Sequence, residues 1–179
     1  MPTNQSTHSI GQMLTASVHA GLSYAERLTT DVSPEQFARF ARIGDTVIES
    51  NHAAFNYGHL SLYACRIIET VGGDPTPYLP SAEFTKVFSR DTNCVDDADG
   101  TIYPPMDAIV EALVTGYKAV AQALAEAEDD LFRSPNVNEA MRERFPTNGA
   151  MLGFYVGGHF MMHMGQTSAW RRAMGLGPV

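Results

Sequence analysis

Residues 148–173 read NGAMLGFYVGGHFMMHMGQTSAWRRA, and this stretch decides the fold class. Projected on a helix, its apolar side chains point in almost every direction as far as Ala169. This pattern is typical of a helix that is buried among others rather than lying on a surface. We predict a helix that begins near Thr147 or Asn148 and ends near Ala173. At about 100° per residue, one line along it collects Leu152, Tyr155, His159, His163, Gln166 and Trp170.

The same helical spacing of apolar residues occurs elsewhere in the chain and predicts three more long helices. They run from about Ser9 to Leu28, from near Asn51 to about Val71, and from Met106 to a fraying end near Glu126–Asp130. Short helices are predicted from Ser33-Pro34 to about Gly44 and over Val137–Arg144. No segment alternates as a strand does over several residues. The sequence therefore predicts a single all-α domain over residues 1–179, a four-helix bundle with one or two extra short helices.

A long loop is predicted between the second and third long helices. It spans Gly73 to Pro104 and holds three prolines and an acidic cluster: Pro75, Pro77, Pro80, Asp91, Asp96, Asp97 and Asp99. A loop of this length inside a compact domain often covers a functional site. The acidic cluster is not predicted to be an EF-hand calcium site. If Gly100 is aligned with the glycine of an EF-hand loop, Val95 and Met106 fall at the first and last positions, where carboxylates are required.

Composition and charge exclude some classes of function. Twelve basic residues against twenty acidic ones give a net charge of −8, which argues against general nucleic-acid binding. No apolar run approaches the roughly 18 residues of a membrane span, so no membrane partner is expected. The N-terminus shows no export signal, and Cys65 and Cys94 form no CxxC motif. We therefore predict a cytoplasmic protein with reduced thiols.

The histidines are the best candidates for chemistry. His159 and His163 are four residues apart, so on a helix both imidazoles can reach one metal ion. The spacing is weak evidence by itself, because such pairs arise often by chance. A buried imidazole needs a partner, since an unpaired polar group in an apolar site costs about 1–3 kcal/mol. A metal ion is one such partner, and carbonyls, carboxylates or water are others.

The second long helix carries a matching polar line. Its members all fall within about 40° of one line along the helix and are His52, Asn56, His59, Tyr63, Arg66 and Thr70. A solvated face would be the ordinary interpretation, but such faces usually favour Lys and Glu. Packed against the line of His159 and His163, this face would offer a third imidazole. Spacing alone leaves two choices open for it, His59 and His52.

Taken together, these motifs resemble the DinB/YfiT-like superfamily of metalloenzymes. The resemblance covers roughly Ser9 to Gly175 and is most specific at NYGHLSL over residues 56–62 and at GHFMMHMGQ over residues 158–166. It implies a four-helix bundle, often a homodimer, with a three-histidine metal site on facing helices. Carried over to this chain, the ligands would be His59, His159 and His163, and the Gly-His step favours His59 over His52.

Such a site would bind a divalent ion through neutral nitrogen ligands and keep a coordination position open, as catalytic sites do. Zinc, nickel and iron(II) all suit it. Candidate residues around the ligands come from the two polar lines: Gln166, Tyr155, Asn56, Tyr63 and His52. Arg66 is either an ordinary surface arginine or the receiver of an acidic group of the substrate. No carboxylate lies on either line, so no general base is predicted.

Three functions follow as hypotheses. The first is a metal-dependent enzyme (transferase, isomerase or hydrolase), and the resemblance suggests a transferase or isomerase that uses a low-molecular-weight thiol. The second is a non-catalytic bundle that binds a metal or another small ligand. The third is a structural bundle that dimerises through an apolar face and satisfies its histidines by hydrogen bonds. Metal analysis of untagged protein separates the third hypothesis from the other two.

Overall fold

The computed structural model describes residues 9–179 and is mostly helical. The α-helices are α1 (Ile10–Leu28), α2 (Pro34–Phe37), α3 (Ala53–Ser61), α4 (Ala64–Thr70), α5 (Ala82–Phe88), α6 (Met106–Glu126), α7 (Asp129–Arg133), α8 (Asn148–Gly153) and α9 (Phe160–Ala173). A π-helical turn, Phe154–His159, joins α8 to α9, and 3-10 turns lie at Thr76–Tyr78 and Glu139–Met141. Strands β1 (Ala41–Ile43) and β2 (Thr46–Ile48) form one antiparallel hairpin.

The core lies where four long segments meet. α1 packs against both α6 and α9, and α3 packs against the same two helices, so the segments form a closed ring of neighbours. Apolar residues spaced every three or four positions fill the interior, among them Leu22, Leu60, Leu113, Tyr117 and Phe160. This arrangement confirms the predicted all-α class and places the faces of α3 and α9 against each other.

Helix α6 has a second property that follows from its composition. Within residues 9–179 it is the one helix long and apolar enough to cross a membrane, by length and composition only. Core helices pass the same test, and α6 buries Ile109, Leu113 and Leu124 completely. Its neighbours α1, α3 and α4 cover that face.

The second long helix differs from the prediction in being broken. It starts two residues later than predicted, at Ala53, with His52 as its N-cap, and it is interrupted by a turn at Leu62 and Tyr63. The chain keeps its direction because both turn residues retain right-handed helical backbone angles. The interruption places Tyr63 at the start of α4, one turn beyond His59.

The hairpin corrects the prediction that the chain has no strands. The short helix after Ser33 ends at Phe37, and β1 and β2 then turn at Gly44, whose φ is +59°. Glycine adopts this left-handed conformation without the steric cost of a side chain. Three-residue strands are too short to show alternation, which is why the sequence pattern missed them.

The segment Gly73–Pro104 is more ordered than the predicted loop. It contains α5, which Ser81 caps by accepting the N–H of Phe84. Farther along, the buried Asp97 carboxylate accepts the backbone N–H groups of Thr101, Ile102 and Tyr103 and so closes a turn. The acidic cluster therefore contributes a structural carboxylate that fixes the path of the chain.

After α6 the helices again differ from the prediction. α6 ends at Glu126 as expected, but the acidic run continues as the first turn of α7, where Asp129 and Asp130 favour the positive end of the helix dipole. The helix predicted over Val137–Arg144 is only the 3-10 turn Glu139–Met141.

The last long helix spans residues 148–173, within the predicted bounds, but its middle turn is π-helical. Not all of its apolar side chains are buried. Met164 is fully buried, whereas Met161 and Met162 are 46% and 51% exposed, so this helix has a solvent-facing apolar side.

Candidate metal centre

His59 lies in the last turn of α3, with its ring held by the end of α5. The imidazole Nδ1–H donates to the carbonyl oxygen of Phe88 at 2.9 Å, which leaves Nε2 without a proton. The preceding Gly58 allows this contact, because a Cβ at that position would collide with the Phe88 ring. The Gly-His step therefore has a physical cause, namely the close approach of α5 to α3.

His163 is fixed in the same tautomer from the opposite helix. Its Nδ1 lies 2.9 Å from the Gln166 Oε1 and 3.1 Å from the Asn56 Oδ1, both of which can only accept. The Asn56 side chain is oriented in turn, since its Nδ2 donates to the Thr167 hydroxyl at 3.0 Å. The proton of His163 therefore sits on Nδ1, and its Nε2 presents a lone pair.

His159 differs from the other two histidines in having no fixed outer partner. Its Nε2 lies 3.2 Å from the Nε2 of His163, and its buried Nδ1 has no hydrogen-bond partner within residues 9–179. Aromatic rings surround it instead: the centroids of Tyr63, Phe154 and Tyr155 lie 4.5, 5.6 and 6.2 Å from that of His159.

The three histidines converge on one point. One ring nitrogen from each of His59, His159 and His163 lies within 4.8 Å of the other two. A zinc ion about 2.1 Å from each nitrogen in tetrahedral geometry would hold them about 3.4 Å apart. The observed spacing is thus near that of a three-nitrogen metal site, and small side-chain shifts would bring the nitrogens to the distance that a metal ion requires.

Electrostatics keep the imidazoles in the form that a metal requires. Burial, with smaller contributions from the neighbouring His163 and His59, lowers the pKa of His159 to about 3. Burial likewise lowers the pKa of His163 to about 4. The pKa of His59 is also lowered, first by burial and then by the positive charge of Arg66. At neutral pH all three rings are therefore uncharged and able to donate a lone pair.

The π-helical turn sets the position of His159. Its i→i+5 geometry puts an extra residue into the turn, so residues upstream are rotated from where an ideal α-helix would place them. Gly157 and Gly158 lie in this turn, and open space surrounds the Cβ position of Gly157. Turns of this type are frequent at functional sites, and here one ends at a candidate ligand.

His52 lies outside the cluster, which corrects its prediction as a site residue. Its Nδ1 accepts the N–H of Phe55 at 3.2 Å, and its Nε2–H donates to the carbonyl oxygen of Val95 at 3.0 Å. Both nitrogens are thus occupied by backbone groups. The alternative that spacing left open, His52 or His59, is decided by hydrogen bonding in favour of His59.

The other predicted site residues are found near the cluster. Asn56 and Gln166 hold His163, while the half-buried Tyr63 and Tyr155 pack beside His159 with their ring centroids 5.1 Å apart. Arg66 is exposed, and its guanidinium carbon lies 5.6 Å from the centroid of the Tyr63 ring.

Three groups at the site were missed by the sequence reasoning. The Phe88 carbonyl is a backbone group and leaves no mark in sequence. Phe154 lies in the π-helical turn, where ideal helical projection fails, and Arg144 stacks on it from the connector before α8 with its guanidinium carbon 5.3 Å from the ring centroid. Phe88 and Arg144 reach the site through tertiary packing, and Phe154 reaches it because the π-helical turn changes the local geometry, so the spacing of an ideal helix could not have found them.

Comparisons of the chain with protein-family models, with curated proteins and with solved structures found no match. What the histidine cluster does is therefore inferred from its geometry and chemistry.

Proposed function

We propose that His59, His159 and His163 bind a divalent metal ion and that the protein is a metal-dependent transferase or isomerase acting with a low-molecular-weight thiol. The observation that carries the proposal is the convergence of three neutral ring nitrogens within 4.8 Å. Two of the rings, His59 and His163, have their protons fixed on the outer nitrogen, so their lone pairs face inward. Inward-facing lone pairs at this distance repel one another unless a cation or a proton lies between them.

The chemistry of the donor set fits an exchangeable position rather than a closed structural site. A divalent cation held by three neutral imidazoles retains its full charge and an open position, at which the pKa of an arriving thiol is lowered. Zinc, nickel and iron(II) all accept such ligands. The residues around the histidines orient one ring and cover another. Asn56 and Gln166 orient His163, and the rings of Tyr63 and Tyr155 limit the access of water to His159.

Tyr63 is a protic side chain that packs beside the cluster and could handle a proton. Its ring packs 4.5 Å from that of His159 and 5.3 Å from that of His59, centroid to centroid. Burial raises the pKa of Tyr63, so its hydroxyl is protonated at neutral pH and acts as a hydrogen-bond donor. A donor beside the open position can stabilise negative charge that develops on a substrate.

We place the chain in the DinB/YfiT-like superfamily as part of the same proposal, with the ring formed by α1, α3, α6 and α9 as the four-helix bundle. The GH step at residues 58–59 and the HxxxHxGQ motif from His159 support this placement. The proposal extends to a homodimer, which sedimentation velocity tests, and to a cytoplasmic location, with which the free thiols of Cys65 and Cys94 are compatible.

The metal proposal is tested by elemental analysis of untagged protein. We expect about one equivalent of a transition metal in the wild type and its loss in His163→Ala. His52→Ala is the matched control, because it also removes a buried imidazole but one whose nitrogens are both occupied. Metal content that is unaffected by His163→Ala contradicts the proposal.

A non-catalytic metal-binding bundle is the second candidate. It is favoured by the chemistry around the cluster, where the ring and hydrogen-bond partners found within residues 9–179 are aromatic, amide or backbone groups and none is a carboxylate. Turnover of thiols with electrophiles, measured on metal-loaded protein, separates the two candidates. Activity that His59→Ala abolishes supports the enzyme, and a metal-loaded protein without turnover supports the binding module.

A further inference from the structure

Two arginines flank the histidine cluster from different parts of the chain. Arg66 on α4 lies over the ring of Tyr63, with 5.6 Å between the guanidinium carbon and the ring centroid. Arg144, before α8, lies over Phe154 at 5.3 Å. Both rings pack against His159, at centroid distances of 4.5 and 5.6 Å. The two guanidinium groups are therefore each separated from the same imidazole by a single aromatic ring.

Neither guanidinium has a carboxylate partner within residues 9–179. The ion pairs found there join Arg39 to Asp96, Arg90 to Asp91, Arg133 to Asp129 and Asp130, and Arg142 to Glu139. Acidic residues outnumber basic ones by twenty to twelve, yet Arg66 and Arg144 remain exposed and unpaired beside the cluster. Their positive charge is thus available to a ligand.

The charged side chains that stack on the rings next to His159 are both arginines. The three imidazoles are neutral and add no negative charge to offset a bound cation, and the nearest rings are aromatic. A guanidinium presents a planar set of N–H donors that matches the two oxygens of a carboxylate. An anionic group bound beside the cluster would therefore be attracted by the positive charge of the two arginines.

We infer that the site selects small anionic molecules, whose carboxylate or similar group is received by Arg66 and Arg144. This inference rests on the proposed metal site and names the substrate class for it. The side chains of Tyr63 and Phe154 serve as platforms that hold each guanidinium at the rim.

The test uses cobalt(II)-loaded protein and three thiols of similar size: mercaptoacetate, 2-mercaptoethanol and cysteamine. Binding is followed by the thiolate-to-cobalt absorption band. We expect mercaptoacetate to bind about ten-fold more tightly than 2-mercaptoethanol, since each partly exposed charge pair contributes a factor of about three. Cysteamine should bind most weakly. Chelation of cobalt by the second group would favour mercaptoacetate and cysteamine alike over 2-mercaptoethanol, so weak binding of cysteamine and a dependence on the two arginines distinguish their charge from chelation.

Arg66→Gln and Arg144→Gln should each reduce the preference about three-fold, and the double variant should abolish it. Lys118→Gln is the control, because it removes one positive charge from the exposed side of α6. Added salt should weaken the preference by screening.

The result that overturns the inference is equal affinity for the three thiols, no thiol binding at all, or a preference that both arginine variants retain. Failure of the protein to bind cobalt is a different outcome, since it contradicts the proposed metal site. The cobalt stoichiometry, measured first, thus separates the two failures.

Discussion

The chain holds two kinds of buried histidine, and the difference between them is instructive. His52 is completely buried, and its pKa is lowered to about 4; His163 is almost as buried, and its pKa is also lowered to about 4. Yet backbone groups occupy both nitrogens of His52, whereas His163 keeps one nitrogen directed at two other imidazoles. Burial and a low pKa therefore do not single out a candidate ligand, whereas an unoccupied nitrogen that faces other imidazoles does.

The surroundings of His52 and of the histidine cluster also use the long segment between α4 and α6 differently. At His52 this segment supplies the Val95 carbonyl, and the histidine ties its far end to the start of α3. At His59 it supplies the Phe88 carbonyl, which orients a candidate ligand. One segment thus provides a structural tie at one end and an orienting contact at the other.

The largest expected effect is on metal affinity, which should differ between variants of His163 and of His52. His163→Ala should lower metal affinity by more than about 100-fold, because it removes a ligand, whereas loss of an outer partner costs 10–100-fold. His52→Ala should leave the affinity within about two-fold of wild type. Competition with a chromophoric chelator measures both values. Equal losses in the two variants would erase the distinction drawn between these histidines.

Stability should show the opposite ranking. His52→Ala removes the N-cap of α3, worth about 1 kcal/mol, and leaves the Val95 carbonyl without its partner, which costs about 1–3 kcal/mol. We expect the free energy of unfolding of the metal-free protein to fall by about 2–4 kcal/mol in urea titrations. His52→Asn should recover about 1 kcal/mol, since asparagine caps helices well. A His52→Ala protein as stable as wild type contradicts the structural role.

In the metal-free protein, the buried histidines should make the free energy of unfolding depend on pH. The pKa of His52 falls from 6.5 to about 4 on folding because burial outweighs the bond to Val95 and the attraction of Asp96 and Asp97. A lowered histidine pKa gives stability that is complete above pH 6.5 and is lost as the pH falls toward 4, by about 3 kcal/mol in total.

His159 and His163 contribute in the same direction, because their pKa values are also lowered. Urea unfolding between pH 7 and pH 4.5, in the presence of a chelator, should therefore show a flatter pH dependence for His52→Asn than for wild type. Identical slopes would show that His52 is not neutral in the folded protein. Metal-loaded protein should keep its ion through this range and release it only as the pH nears the lowered pKa values of His163 and His159, about 4 and 3, since a protonated imidazole cannot bind.

The smallest expected effect concerns the partners of His163. Gln166→Ala should weaken metal binding by about ten-fold, at the low end for an outer partner, because Asn56 still accepts the Nδ1 proton. Gln122→Ala is the matched control, an exposed amide on α6 that donates to its helical neighbour Glu126. The same chelator competition measures the difference, and an unchanged affinity in Gln166→Ala shows that Asn56 alone orients the ring.

Much of the fold was predictable because helical periodicity is a local property. The bounds of α1 and α6 and the ends of the segment 148–173 follow from the helical spacing of apolar residues. The broken second helix, the hairpin at Gly44 and the helix α5 were not predictable in this way. Each is short, and short elements owe their stability to the packing around them rather than to their own sequence.

By itself the sequence determined that two helical faces carry histidines at spacings that permit a shared ligand, and that the chain is helical. Only the tertiary structure decided which histidines meet. It brought α3 against α9, oriented His59 with a backbone carbonyl far along the chain, and occupied both nitrogens of His52. The physical reason is that spacing fixes the direction of a side chain on its own helix, whereas the availability of a nitrogen depends on hydrogen bonds from distant segments.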